Sequence, residues 1–116
     1  MSYRAKNAED DSTEAHEYRA NADQTAATYQ TLAENLDTDN DSNGNGELFL
    51  FNPSSTTFTK HFFCRFTSYQ NSEAGNQEQI TGGYINETGA INAVLFRFHS
   101  GNIDSGTIKL YGIKDS

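Results

Sequence analysis

All eight phenylalanines of this 116-residue chain fall between Phe49 and Phe98, so the large apolar side chains available for a core lie in its second half. Much of that half alternates with a period of two, the spacing of a strand with one face buried. Phe58, Phe62, Cys64 and Phe66 share one side of the run from Phe58 to Tyr69, with Thr59, His61, Arg65 and Thr67 on the other. Phe63 interrupts that polar side, which points to partial cover there. Val94, Phe96 and Phe98 alternate with Leu95 and Arg97, and Ile108 and Leu110 alternate with Lys109 and Tyr111. Leu48 to Phe51 is a short apolar run stopped by Asn52-Pro53, since proline has no N–H for a ladder. Gln79 to Asn86 fits a further strand, with Gly82-Gly83 as a bulge or a point of close approach. The pattern predicts an all-β chain, an antiparallel β-sandwich or reduced jelly roll. Its strands are expected near residues 47–52, 58–69, 78–86, 91–99 and 107–113, with Phe62, Phe66, Val94, Phe96, Phe98, Ile108 and Leu110 buried.

Residues 1–46 are of another character. They hold ten acids against Arg4, Lys6 and Arg19, and so supply −7 of the formal net charge of −8. Tyr3-Arg4-Ala5 recurs as Tyr18-Arg19-Ala20, an echo that two antiparallel strands would produce. The stretch from Thr13 to Ala20 and the Ala-rich stretch from Asp23 to Asn35 also contain good helix formers without a clean apolar stripe, so strand, helix and disorder all remain open here. Residues 37–46 read as a loop of Asp, Asn, Ser and Gly with one Thr. The expected organisation is an acidic region, 1–46, joined to a β-sandwich core, 47–116, in one domain.

Several functions are disfavoured at this level. An excess of acids gives no positive face to displace counterions from phosphate, so nucleic acid is not an expected partner. No apolar run approaches the length of a membrane span, and no signal-peptide pattern follows Met1. A single cysteine, Cys64, allows neither an internal disulfide nor a four-cysteine zinc site. Its place on the phenylalanine side reads as a small buried hydrophobe. His16, His61 and His99 show no metal-ligand spacing, and Ser100 lacks the glycine frame of a nucleophile elbow. The many acids of the first half read as solvated surface. No catalytic residue, cofactor or metal is expected, and the chain reads as non-enzymatic. Asn40-Asp41-Ser42 and Asn86-Glu87-Thr88 are sequons read as ordinary loop residues.

The segment Gly82-Gly83-Tyr84-Ile85, followed by residues 90–113 ending in Ser100-Gly101-Asn102-Ile103-Asp104-Ser105-Gly106-Thr107-Ile108-Lys109-Leu110-Tyr111-Gly112-Ile113, resembles the closing part of small β-sandwich virion proteins of tailed bacteriophages. Glu47-Leu48-Phe49-Leu50-Phe51-Asn52-Pro53 is similar to that family's strand before a polar turn. The resemblance spans roughly residues 45–114 and contains no catalytic motif. It implies a structural protein on the particle surface: a capsid decoration or cement protein, or a small tail accessory, in its separate form rather than as the tip of a longer tail protein. A different class, a host-recognition module of a tail fibre binding cell-surface glycan through loop Tyr and Asn, is the alternative.

The family often has a longer first half, so the shorter one here is expected to complete its core by self-association. The expected partners are copies of the chain itself, most simply as a trimer, and the capsid shell or tail. Phe63, Leu95 and Tyr111, which point outward in the strand pattern, are the expected interface residues.

Asp39-Asn40-Asp41-Ser42-Asn43-Gly44 matches the first half of a calcium loop, but its twelfth position is Leu50 instead of a bidentate Glu. It therefore reads as a turn. Millimolar calcium should move the melting temperature by no more than about a degree, where a ligand at ~100 times its Kd would add ~2.7 kcal/mol. A clear upward shift in a thermal melt would restore the metal site.

Overall fold

The computed structural model describes residues 1–25, 28–70 and 74–114. The chain is all-β and antiparallel. Five strands, β1 (Ser2–Ala8), β2 (Glu14–Tyr18), β3 (Gly44–Leu50), β4 (Lys60–Gln70) and β5 (Gly75–Ile85), form one sheet in the order β2-β1-β5-β4-β3. A single 3-10 turn, Ala20–Ala22, follows β2. The Tyr3-Arg4-Ala5 echo is a strand pair, with Tyr3 opposite Tyr18 and Arg4 opposite Glu17. Of the readings open for that region, strand holds over β1 and β2, and the described residues from Asp23 to Asn35 form neither strand nor helix.

Two expected strands are absent. Residues 91–99 and 107–113 make no ladder, and the described chain beyond Ile85 has no regular structure. Val94, Phe96, Phe98, Ile108 and Leu110 are exposed, Leu110 at 95%. A second layer that would make the sheet a sandwich is not found among the described residues. The physical reason is that alternation specifies a strand without specifying its partner, and β1 takes the place beside β5 that a later strand would need. Smaller differences lie at the ends. Phe58 sits in the turn before β4 and is exposed, β3 begins at Gly44, inside the expected 37–46 loop, because Gly44–Gly46 pair with Phe66–Ser68, and β5 begins at Gly75 instead of near Glu78. The expected polar connection from Asn71 falls partly outside the described residues.

The sheet has one covered and one open face, and the covered face follows the strand period. Lys60, Cys64, Ser68 and Gln70 are buried along β4, alternating with exposed His61, Phe63, Arg65 and Thr67. Phe62 and Phe66, expected buried, are on the covered side and half-buried. Each stands opposite a glycine on the adjacent strand, Gly83 and Gly46 respectively. A Cβ at Gly46 would lie 2.4 Å from the Phe66 ring and 2.8 Å from the Arg65 carbonyl oxygen, so the ring packs where a side chain would stand. Gly83 does the same for Phe62, with its imagined Cβ 2.9 Å from that ring. The register runs unbroken past Gly82-Gly83, so this pair marks close approach and not a bulge.

Much of the covered face is polar. Ser2, Arg4, Gln77, Gln79, Thr81, Ser68 and Gln70 are buried there, whereas the buried hydrophobic residues are Ala8, Ala22 and Cys64. Buried polar groups need partners, and most of these have them. Gln79 Nε2 donates to Ser2 Oγ at 2.9 Å, and Ser2 and Thr81 hydroxyls bond at 3.0 Å. Gln77 Nε2 donates to Ser68 Oγ at 3.0 Å and also to the Glu34 carbonyl. Glu34 N in turn donates to Gln79 Oε1 at 3.0 Å, so the 28–36 segment is fastened over this face by glutamine amides.

Glu17 ties β2 to β1 and to that segment. Its carboxylate receives Arg4 at 2.9 Å, Arg19 at 2.8 Å and Lys6 at 3.3 Å, and Arg19 also reaches Glu34 at 2.7 Å. The Arg4 hydrogen bond, with Lys6 and Arg19 assisting and burial opposing, holds the Glu17 carboxyl down to about 2 from an ordinary 4.5. Because the folded value lies below the unfolded one, this stabilisation is present above pH ~4.5 and is lost as pH falls toward ~2, on the order of 2–3 kcal/mol with partial solvent screening. Urea denaturation midpoints should fall across that window. Glu17→Gln should be less stable at pH 7 by ~2–4 kcal/mol, since Arg4 is left buried without its counter-charge, and should show a flatter pH dependence below 4.5. A midpoint at pH 7 equal to wild type would contradict this role.

Candidate interaction surface

The open face carries the side chains of opposite parity. Tyr18, Tyr3, Ile80, Phe63, Phe49, Phe51 and Tyr84 are all exposed on it, running from one sheet edge toward the other. Their ring contacts fall into separate clusters. Tyr3 meets Tyr18 edge-on with centroids 5.2 Å apart, and Phe49 lies 6.4 Å from Phe63 and 6.5 Å from Phe51. His61 and Tyr84 rings are 6.0 Å apart. Solvated single aromatics are ordinary, whereas several clusters of them on one face form an unusually apolar surface.

The chain leaves the sheet after Ile85 under control of one side chain. Lys60 is wholly buried, and its ammonium donates to the carbonyls of Glu87 at 3.1 Å, Thr88 at 2.8 Å and Gly89 at 2.7 Å. Three oxygens match the three N–H donors of an ammonium. Glu87 folds back so that its Oε1 accepts from Gly89 N at 2.7 Å, and Ile91 N then donates to the Pro53 carbonyl at 2.8 Å. Farther on, the Arg97 guanidinium lies 4.1 Å from the centre of the Tyr29 ring. Lys60 projects from the covered face and Tyr29 belongs to the segment that covers it, so residues 87–97 run on the covered side and leave the aromatic band bare.

Beyond Arg97 the arm stands in solvent. Ile103, Ile108, Leu110, Tyr111 and Ile113 are exposed, Ile113 at 91%. Gly101 and Gly106 take positive φ of 78° and 143°, which suits the bends expected between Ser100 and Gly106. The molecule reflects the arm in its size: its radius of gyration is 15.7 Å, against about 13 Å for a compact chain of this length. Phe63 lies in the middle of the aromatic band at 38% exposure, while Leu95 and Tyr111 are on the arm at 70% and 77%. The structure therefore divides the three expected interface residues between two surfaces. Alternation along the chain could reveal Phe63. It gave no sign of the tyrosines of β1 and β2, whose side depends on pairing with β5.

The remaining chemical candidates stay dispersed. Glu9, Asp37, Asp39, Asp41, Asn43 and Tyr69 line a shallow acidic recess, where the Ser42 hydroxyl donates to Asp37 Oδ2 at 2.6 Å. No group of three metal-ligating side chains converges among the described residues. Cys64 is buried, and burial, with Glu47 nearby, pushes its thiol up to about 11, which removes thiolate chemistry at neutral pH. His16, His61 and His99 are exposed and lie on separate elements. No helix among the described residues is long and apolar enough to cross a membrane. Comparisons with family models, with curated proteins and with solved structures returned no match to this chain.

Lys60→Met keeps the methylenes and removes the three hydrogen bonds. The substitution should cost ~1–3 kcal/mol in urea unfolding and speed amide exchange at Gly89 and Ile91. Unchanged exchange at those two amides would show that the ammonium does not hold the root of the arm.

Proposed function

We propose that this chain is a non-enzymatic structural protein of a tailed-phage virion, a capsid decoration or cement protein or a small tail accessory, that works by attachment and self-association. The observation that carries the reading is the pairing of exposed aromatic clusters on the open face with a long, strand-patterned arm that joins no ladder among the described residues. Natural proteins leave such surfaces where another molecule covers them. The resemblance of residues 45–114 to small virion β-proteins supplies the setting. Repetition on a symmetric particle turns a modest contact into firm attachment, and a net charge of −8 keeps the particle surface soluble.

A second reading, a glycan-binding host-recognition module of a tail fibre or tail tip, draws support from Tyr3, Tyr18 and Tyr84, whose exposed rings on the open face could stack on sugars. Copy number separates the two. Quantitative mass spectrometry of purified particles should find the chain at hundreds of copies if it decorates the capsid. A few to a few tens would place it in the tail and favour the second reading. Particles without the chain would overturn both.

A further inference from the structure

The sheet ends at β3 in an edge that has the form of a receptor. The bonds from Phe51 N to the His61 carbonyl and from Tyr69 N to the Asn43 carbonyl fix which residues of this strand face β4. In the register that pairs Gly44 with Ser68, those are the odd-numbered residues. The N–H and C=O groups of Gly44, Gly46, Leu48 and Leu50 therefore point away from the sheet, and no backbone partner meets them among the described residues. The edge is seven residues long with no proline inside it. Apart from Glu47 it carries none of the charges that guard natural edges. The opposite edge, β2, is five residues long and holds Glu14, His16 and Glu17.

The same chain carries a segment that fits this edge. Residues 107–113 also number seven and alternate Ile108 and Leu110 against Lys109 and Tyr111. As an added strand they would set one apolar pair beside Leu48 and Leu50 and bring Lys109 to the side of Glu47. Charge favours the match. Residues 1–90 hold fourteen acids and five bases, a net −9, whereas residues 91–116 hold Arg97, Lys109 and Lys114 against Asp104 and Asp115, a net +1. The arm does not serve its own edge. Lys60 and Tyr29 hold its first part on the covered side, and a Cβ placed on Gly112 would meet nothing within 4 Å.

We infer that residues 107–113 of one copy form a strand only by adding to the outer edge of β3 in a second copy. This deepens the self-association part of the proposed function by naming the donor segment and the acceptor edge. It stands independently of the virion setting, which copy number tests separately. Each copy gives one arm and accepts another, a head-to-tail exchange that closes into a ring when the rotation allows.

The test is sedimentation equilibrium of the full chain at about 100 μM, well above the Kd of an ordinary specific interface. Wild type should have at least twice the 12.9 kDa mass of one chain. The double variant Lys109→Pro, Leu110→Pro removes two adjacent N–H groups, one of which is a ladder donor in either register. It should sediment as a monomer that keeps the circular dichroism of the five-stranded sheet and lacks only the added strand. Leu48→Pro removes an N–H that faces away from β4, a tolerated place for proline in an edge strand, and should also give a monomer. Should that variant lose its spectrum, Leu50→Pro reads the same flank. A monomeric wild type, a double variant that still associates, or a double variant that loses its β spectrum would overturn the inference. Association that survives both β3 variants would overturn the choice of edge.

Discussion

Backbone pairing is the constraint on which the rest of this structure depends. Every strand residue carries an N–H and a C=O that need partners, and the five-stranded ladder satisfies them between its two edges, β2 and the longer, nearly uncharged β3. At β3 the outward groups of Gly44, Gly46, Leu48 and Leu50 face solvent, while the arm beyond Ile85 carries strand-patterned sequence with no ladder. The single chain thus presents both halves of a missing pairing. What keeps them apart within one molecule is equally specific. The buried Lys60 ammonium grips three successive carbonyls and fixes the direction in which the arm leaves.

The covered face shows how a chain poor in apolar residues holds its sheet. Glutamine amides, hydroxyls and the Glu17 carboxylate occupy positions that aliphatic side chains fill elsewhere. Such networks require nearly complete satisfaction, and they give geometric definition more than net free energy. Phe62 and Phe66 join Leu48 and Leu50 as large apolar side chains on that side, and each phenylalanine is accommodated by a glycine across the strand pair. The aromatic band lies on the other face, where solvent contact is a cost to the isolated chain. The exposed apolar surface and the polar interior thus lie on opposite faces of one sheet.

The ladder was legible where side chains alternate strongly. β4 and the second half of β3 follow from Phe58–Tyr69 and Leu48–Phe51, whereas the Tyr-Arg-Ala echo left strand and helix open for β1 and β2, and Gly44–Gly46 have the composition of a loop. Gly82-Gly83 was legible as a bulge or a close approach, and only the unbroken β4–β5 register decides for close approach. The polar interior was hidden, because Gln77, Gln79 and Arg4 have the composition of solvent-facing residues and become buried only through partners distant in sequence. The arm was misplaced for a related reason. Period two in residues 91–99 and 107–113 states that the segments suit a strand, and it is silent on which chain supplies the neighbour. Of the candidate surface, Phe63 was visible from the break in its polar face, whereas Tyr3 and Tyr18 joined it only through the β1–β5 register.

The central claim, that the arm becomes a strand only between copies, is tested most directly by amide hydrogen exchange of the full chain at two protein concentrations. Protection at Ile108, Leu110 and their neighbours should be weak in dilute solution. It should rise with concentration, together with protection on the outward flank of β3 at Gly46, Leu48 and Leu50. Arm amides protected at a concentration where the chain sediments as a monomer would mean that the arm folds within its own chain. Arm amides unprotected at the higher concentration would mean that it forms no strand at all. Either result would contradict the account.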